Sequence, residues 1–572
     1  MKYVGAVTSD GTEISLDGLT VLVGPNNSGK STTLRDIYEH VTGGAQYQPI
    51  LIRQLVRDPS TTSESLLEET KRYAAADATN QYRAIGPKLR EQAMASMEEG
   101  PLKSYINAEI AGTHTQYRRN FGKFHVAMLD TESRLELAKS GPSHDVSRET
   151  PSSLLQMLYG NQKIQIELDD AFHDTFGLHI KFDFTSLKTL YLRVGHDFSH
   201  ISSSPEQANV DLLKIPQLDL QGDGMRSFTA VVLSLLMVKD RLILLDEPDA
   251  FLHPEQARRL GRWLADKVAA NHQQVIIATH NSHFLNGIVS AGGTPQIFRL
   301  NYRSAGVSDF NRIPGATVRK FGTDPLLSSQ RVVEAIFHAL AVVCEADSDR
   351  TIYQAVALEE LNNNEVLFVN AQNKQTCAKV ASALKEAHIP VRSVVDFDIL
   401  RDNSDLKTLM NAHDVPADIQ STIQMNRREI ANAVEGIANS EDLTDVPEAL
   451  RLLANRIEAD QLSKRQIQSR VEDLLKISEW AGVKRDGIAA LDSPVKEKAQ
   501  DLINALFDYG IAVVSIGELE SWIDLPATKS RWVEQALEKI YAHETPKPLK
   551  EFVARVLEPV EPQEGQSEDQ LR

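Results

Sequence analysis

Eight consecutive residues, Gly24-Pro25-Asn26-Asn27-Ser28-Gly29-Lys30-Ser31, constrain this chain more than any other stretch. They fit the spacing G-x-x-x-x-G-K-[ST]. The apolar run Leu19-Thr20-Val21-Leu22-Val23 before them reads as a buried strand, and residues 31–38 after them read as a helix. A strand, a glycine-rich turn and a helix start point successive backbone N–H groups at one place, where the positive helix end also attracts an anion. On this reading Gly24, Asn26, Asn27, Ser28, Gly29, Lys30, Ser31 and Thr32 cradle the phosphates of ATP. Lys30 reaches the β- and γ-phosphates, and Ser31 ligates Mg²⁺. Glycine suits such a loop because it lets the backbone approach phosphate closely.

A second apolar strand, Leu242-Ile243-Leu244-Leu245, runs into Asp246-Glu247-Pro248. Four apolar residues in a row describe a strand buried on both faces. Open α/β sheets bind ligands at the C-terminal ends of such strands. Asp246 is therefore read as part of the Mg²⁺ shell, and Glu247 as the group that polarises the attacking water. Val275-Ile276-Ile277-Ala278 is a further buried strand, and His280 just beyond it lies where a side chain can sense the γ-phosphate. The segment Gln221-Gly222-Asp223-Gly224-Met225-Arg226-Ser227 precedes an apolar helix over 229–237. Glycines ahead of a helix make a second anion site, with Gly222, Gly224 and Ser227 as its candidates.

The order of these pieces resembles an ATP-binding-cassette (ABC) ATPase across about residues 1–300. The resemblance implies that two ATPase heads meet face to face, each signature segment capping the other head's nucleotide. A homodimer or larger homo-oligomer is the expectation. The signature lacks the LSGGQ of transporters, which points to the soluble, nucleic-acid-associated branch. The span of about 45–210 is too long for one connection and must hold an insertion. Within it, 63–72 and 86–97 read as helices and 189–194 as a strand.

Length allows roughly two to four domains. Net charge is 61 − 79 = −18, which excludes a protein dominated by nonspecific nucleic-acid binding. Contact with nucleic acid must come from a local basic patch or through metal ions. Cys344 and Cys377 form no metal-spaced cluster, and a reduced compartment fits them. The N-terminus lacks a signal peptide's apolar core, and no run approaches the ~20 residues that span a bilayer. A soluble, cytoplasmic protein with no membrane partner is the reading.

A third constellation follows residue 335. Ala339-Leu340-Ala341-Val342-Val343-Cys344 is an apolar strand ending at Glu345, with Asp347 and Asp349 just beyond and a helix from Arg350. Another strand, Glu365-Val366-Leu367-Phe368-Val369, and a helix over 375–386 come next. Then Pro390-Val391-Arg392-Ser393-Val394-Val395 ends in Asp396-Phe397-Asp398. Strand alternation puts Asp396 and Asp398 on one face, and strand–helix alternation argues for a small parallel sheet. Carboxylates gathered at its edge repel one another unless a metal ion joins them.

This segment resembles a Toprim domain, marked by a Glu after the first strand and a later D-x-D. ATPase followed by Toprim resembles the overcoming-lysogenization-defect (OLD) family of nucleases, related to those of anti-phage systems such as Gabija. The resemblance implies that Glu345, Asp349, Asp396 and Asp398 are metal ligands or acid–base groups. It makes Glu518 and Glu520, in the late Gly517-Glu518-Leu519-Glu520 element, ligands of a second metal, and Lys484 a neutraliser of transition-state phosphate. Where the family has Gly after the first Glu, this chain has Ala346.

The expectation is an α/β protein in two parts. An ABC-type P-loop ATPase domain occupies about 1–330, with a largely helical insertion at about 45–210. A Toprim parallel-sheet domain occupies about 335–558, with a helical insertion at about 403–500 in which 448–457 and 464–477 read as helices. A polar tail, 559–572, reads as disordered. The chemistry implied is ATP-regulated cleavage of nucleic acid with Mg²⁺ or Mn²⁺, DNA ahead of RNA. A defence role, and a neighbouring defence-system protein as partner, rest on the resemblance alone. Two other readings stand: an ATPase sensor or scaffold with an inactive second site, and a nuclease for structured RNA such as tRNA.

Overall fold

The computed structural model describes residues 2–44, 47–72, 81–85, 94–113, 115–146, 151, 153–237, 241–304, 306–440, 451, 454, 480–525 and 529–558. It divides into two compact units, Met1–Phe337 and His338–Arg572.

In the first unit Leu19–Val23 is buried along its whole length, as an unbroken apolar run requires. It lies within a six-stranded sheet ordered Val307–Arg312, Gln296–Ser304, Leu19–Val23, Gln274–Ala278, Leu242–Asp246, Val126–Leu129. All neighbours pair in parallel except Val307–Arg312, which runs antiparallel to Gln296–Ser304. Asp246 is in register with Ala278, and Ala278 with Leu22. That register brings the phosphate loop, the Asp246–Glu247 pair and His280 to one edge of the sheet. Helix Lys30–Thr42 starts directly after Gly29 and packs Leu34, Ile37 and Val41 into a core shared with Phe121, Ile276 and Phe298. A separate antiparallel sheet orders Glu13–Ser15, Tyr3–Thr8 and Ile52–Arg57.

Three expectations for this unit change. Residues 94–97 are not helical: Met94–Glu98 is a strand paired antiparallel with Gln81–Ile85, while 86–93 lie outside the described residues. The span 45–210 is rich in helices but is not wholly an insertion. Its Val126–Leu129 is the outer strand of the main sheet beside Leu242–Asp246, and Thr189–Gly195 pairs with His179–Asp183. The helix expected from 229 begins at Asp223. An Asp in the first turn favours the positive helix end, and Asp223 pairs with Arg226 at 2.8 Å; apolar periodicity registers only the buried remainder.

The second unit is built on a four-stranded, all-parallel sheet ordered Val366–Asn370, Leu340–Cys344, Val391–Val395, Ile511–Val513. Leu340–Cys344 and Val391–Val395 are buried throughout. Ile352, Tyr353, Trp522 and Trp532 are among the large side chains of its core. The helix expected from Arg350 starts at Asp347. Helices Asn403–Ala412 and Ala417–Ser440 open the later insert. The helices read at 448–457 and 464–477 lie almost wholly outside the described residues, and the tail 559–572 lies wholly outside them. No described helix is long and apolar enough to cross a membrane.

Candidate functional site

The phosphate loop is held by glycines that no other residue could replace without movement. Gly24 has φ +136°, and a Cβ on it would stand 2.4 Å from the Leu300 carbonyl oxygen. Gly29 has φ +96°, and a Cβ there would stand 2.5 Å from Leu51. Asn26 and Asn27 are exposed at the tip and Thr32 is half-buried. Lys30 Nζ donates to the carbonyls of Gly24 at 3.0 Å and Pro25 at 2.8 Å. Burial depresses its pKa, opposed by the charges of Glu247 and Asp246. The buried Ser28 Oγ has no hydrogen-bond partner. An orphaned hydroxyl, a lysine folded onto its own loop and a helix start just beyond it fit a polyphosphate.

Asp246 ends the strand Leu242–Asp246, and Glu247 follows it. Asp246 accepts from the Ser31 hydroxyl at 2.8 Å, so the two oxygen groups expected on Mg²⁺ are adjacent. Burial raises the Asp246 pKa, the Ser31 bond opposes, and the Glu247 charge raises it further. Glu247 adopts φ +49°. Its carboxylate meets His280 Nδ1 at 2.7 Å and accepts from the His280 backbone N–H at 3.3 Å. The side-chain bond raises the His280 pKa. Asp249, buried, accepts from Thr279 at 2.9 Å.

The signature segment differs from a loop with free donors. Gly222 has open space around it, whereas Gly224 lies in the helix, where a Cβ would stand 2.6 Å from the Phe251 carbonyl oxygen. Ser227 is buried and accepts from Arg134 Nε at 2.9 Å. Arg134, which sequence reasoning missed because it lies in the span read as insertion, also donates to the carbonyls of Asp246 and Glu247.

In the second unit the acids gather around one lysine. Asp396 and Asp398 lie beyond the strand: Asp396 caps the short turn Phe397–Leu400 and Asp398 is within it. Strand alternation therefore does not set their directions. They nonetheless converge, Lys484 Nζ lying 3.9 Å from Asp396, 3.5 Å from Asp398 and 3.9 Å from Glu518. Lys374, unmarked in the sequence, stands 3.6 Å from Asp398. Glu345 accepts from the Asp396 backbone N–H at 3.0 Å. Burial pushes Glu345 up to about 7 and Asp396 up to about 8, with neighbouring acids adding to both. Burial works against the Lys484 charge, but the three carboxylates outweigh it and raise its pKa. Asp349 turns back to accept from the Ala346 N–H at 2.9 Å, capping its own helix. Glu520 is half-buried on the turn Leu519–Trp522. Gly517, φ +109°, fixes the lysine's place, since a Cβ there would stand 2.1 Å from the Lys484 carbonyl oxygen. Among the described residues no three His, Cys, Asp or Glu side chains are spaced to hold a metal ion. The donors suit a hard cation in kind, but their present spacing does not.

Residues 115–286 match the family described as "AAA domain, putative AbiEii toxin, Type IV TA system". No curated protein matches the chain. Solved structures similar to it include "Crystal structure of the SmcHead bound to the C-winged helix domain of ScpA", 14% identical over 55% of this chain and 97% of that one, with a TM-score of 0.33. Another is "RNase-L Inhibitor", 10% identical over 67% of this chain and 81% of that one, with a TM-score of 0.25. The segment matched by the family holds Arg134, Ser227, Asp246, Glu247 and His280. The matched segment and the phosphate loop beside it support an AAA-type P-loop ATPase domain in the first unit.

Proposed function

We propose that this chain hydrolyses ATP in its first unit and uses that cycle to regulate cleavage of nucleic acid by its second, in defence against phage. The observation that carries the hydrolysis is Glu247, beside the Ser31–Asp246 pair and held by His280. Lys30 and the loop N–H groups bind the β- and γ-phosphates, and Glu247 accepts a proton from the attacking water. Bound Mg²⁺ supplies charge neutralisation across those phosphates, with Ser31 and Asp246 as its holders.

The nuclease half rests on the acids gathered around Lys484 and on the Toprim resemblance. Glu345, Asp396, Asp398 and Glu518 are the residues that would have to close on a divalent metal, which would supply Lewis acidity at a phosphodiester. Lys484 steadies phosphate charge. One observation favours the rival, an ATPase scaffold with an inactive second site: the described carboxylates are not spaced for metal, and Asp349 is engaged as a cap.

The deciding assay incubates the protein with Mg²⁺ or Mn²⁺ and plasmid, single-stranded DNA or tRNA, with and without ATP. Asp396→Ala is expected to lower cleavage by roughly 100-fold or more while leaving ATP hydrolysis intact. Wild-type protein that cuts none of these substrates returns the scaffold reading, whereas Asp396→Ala that cuts as well as wild type places the catalytic site elsewhere.

A further inference from the structure

The Arg134 side chain is fully buried, and its five N–H donors all have acceptors. Nε donates to Ser227 Oγ at 2.9 Å. One terminal nitrogen donates to the carbonyls of Leu129 at 3.1 Å and Asp246 at 2.6 Å. The other donates to the Glu247 carbonyl at 2.7 Å and to Thr131 Oγ1 at 3.4 Å. The partners come from three places: the end of Val126–Leu129 with the first residue of the helix that follows, the signature helix Asp223–Met237, and the end of Leu242–Asp246. A guanidinium is the side chain whose rigid fork can serve all three at once.

A second arginine closes the arrangement from the other side. Arg226, one residue before Ser227, donates to the Leu135 carbonyl at 2.9 Å. Helix Thr131–Leu137, which carries Arg134, and the signature helix are thus tied in both directions. Glu247 at φ +49° occupies backbone space that an L-residue enters only under constraint. The Arg134 bond to its carbonyl is one such constraint, and the Glu247 N–H bond to Ala278 O at 2.8 Å is another.

We propose that Arg134 is a positioning residue that sets the Glu247 carboxylate for hydrolysis and links that carboxylate to the signature helix through Ser227. This rests on the ATPase reading. Arg134 does not touch nucleotide; it acts through the backbone of the acid pair. A shift of the signature helix moves Ser227, and the guanidinium carries the shift to Glu247.

The test compares wild type, Arg134→Lys, Ser227→Ala, Glu247→Gln and the double variant Arg134→Lys/Glu247→Gln in phosphate release with Mg²⁺–ATP. Binding of a fluorescent ATP analogue and thermal melting run alongside. Lysine keeps the charge and loses the fork. Arg134→Lys is expected to lower kcat by roughly 100-fold, as a misplacement of about 1 Å does, with analogue affinity within about threefold of wild type. Ser227→Ala, which removes one bond and no charge, is expected to lower kcat by roughly 3- to 10-fold at unchanged KM. In the Glu247→Gln background Arg134→Lys should add little, because both act on one step. Additive losses in the double variant, or an Arg134→Lys loss confined to nucleotide affinity and melting, overturn the proposal and leave Arg134 a packing residue. Wild-type kcat in Ser227→Ala overturns the link to the signature helix. An inert Glu247→Gln beside a fully active Arg134→Lys overturns this inference alone, whereas a wild type that releases no phosphate overturns the ATPase reading with it.

Discussion

Glu247 shows how a single side chain is aimed. Its left-handed backbone costs on the order of 1 kcal/mol, which the surrounding bonds from Arg134, Ala278 and His280 offset. Replacing the carboxylate by an amide keeps the shape and removes the proton acceptor. Glu247→Gln should therefore retain ATP while lowering kcat by roughly 10²- to 10⁴-fold. Lys30→Ala should instead lose nucleotide affinity, because the loop then lacks the ammonium proposed to meet the γ-phosphate charge. Phosphate release and equilibrium binding of an ATP analogue separate the two. Normal turnover in either variant contradicts its proposed role.

At the level of elements, the second unit depends on how strand ends and turns are pinned. Gly517, at φ +109°, leaves no room for a Cβ beside the Lys484 carbonyl. Gly517→Ala should cost roughly 2–4 kcal/mol and displace Lys484 from the acids. Thermal melting reads this, and an unchanged midpoint would show that the contact is loose. His413 pins the neighbouring strand, its Nε2 lying 2.8 Å from Ser393 Oγ in a buried setting. Burial lowers its pKa to about 3, with the Lys385 charge adding. Because the folded pKa lies below the unfolded one, the unfolded chain binds the extra proton between them. The stability of a neutral His413 is present above about pH 6.5 and is lost as pH falls toward 3, by roughly 1.4 kcal/mol per pH unit. His413→Asn should lack that increment. Parallel melts of the two proteins from pH 7 to 4.5 should converge on acidification, and curves that stay parallel count against the buried neutral imidazole.

For the whole molecule, the expected pairing of ATPase heads can be tested at the signature segment. Leu220, three residues before the helix start at Asp223, is 76% exposed, and Phe251, whose carbonyl oxygen a Cβ on Gly224 would approach to 2.6 Å, is 56% exposed. Exposed apolar side chains of this size near the signature helix are where a second head would bury surface in the proposed assembly. Glu247→Gln with ATP should double its mass in light scattering, and Leu220→Glu should keep it monomeric; a monomer in the first case removes the assembly. The sequence alone determined the phosphate loop, the acid strand, the strand before His280 and the small parallel sheet of the second unit, because each is written in contiguous apolar runs with polar ends. It also named the acids that meet Lys484. It did not determine Arg134, Lys374, the early start of the signature helix, the strand at 126–129 or the turn that carries Asp396 and Asp398. Arg134 meets the Asp246 carbonyl across 112 positions of chain, and the turn after Val395 leaves regular strand geometry; neither leaves a local period to read. Only the tertiary structure decided them, because burial and hydrogen-bond satisfaction are settled between elements and not within one.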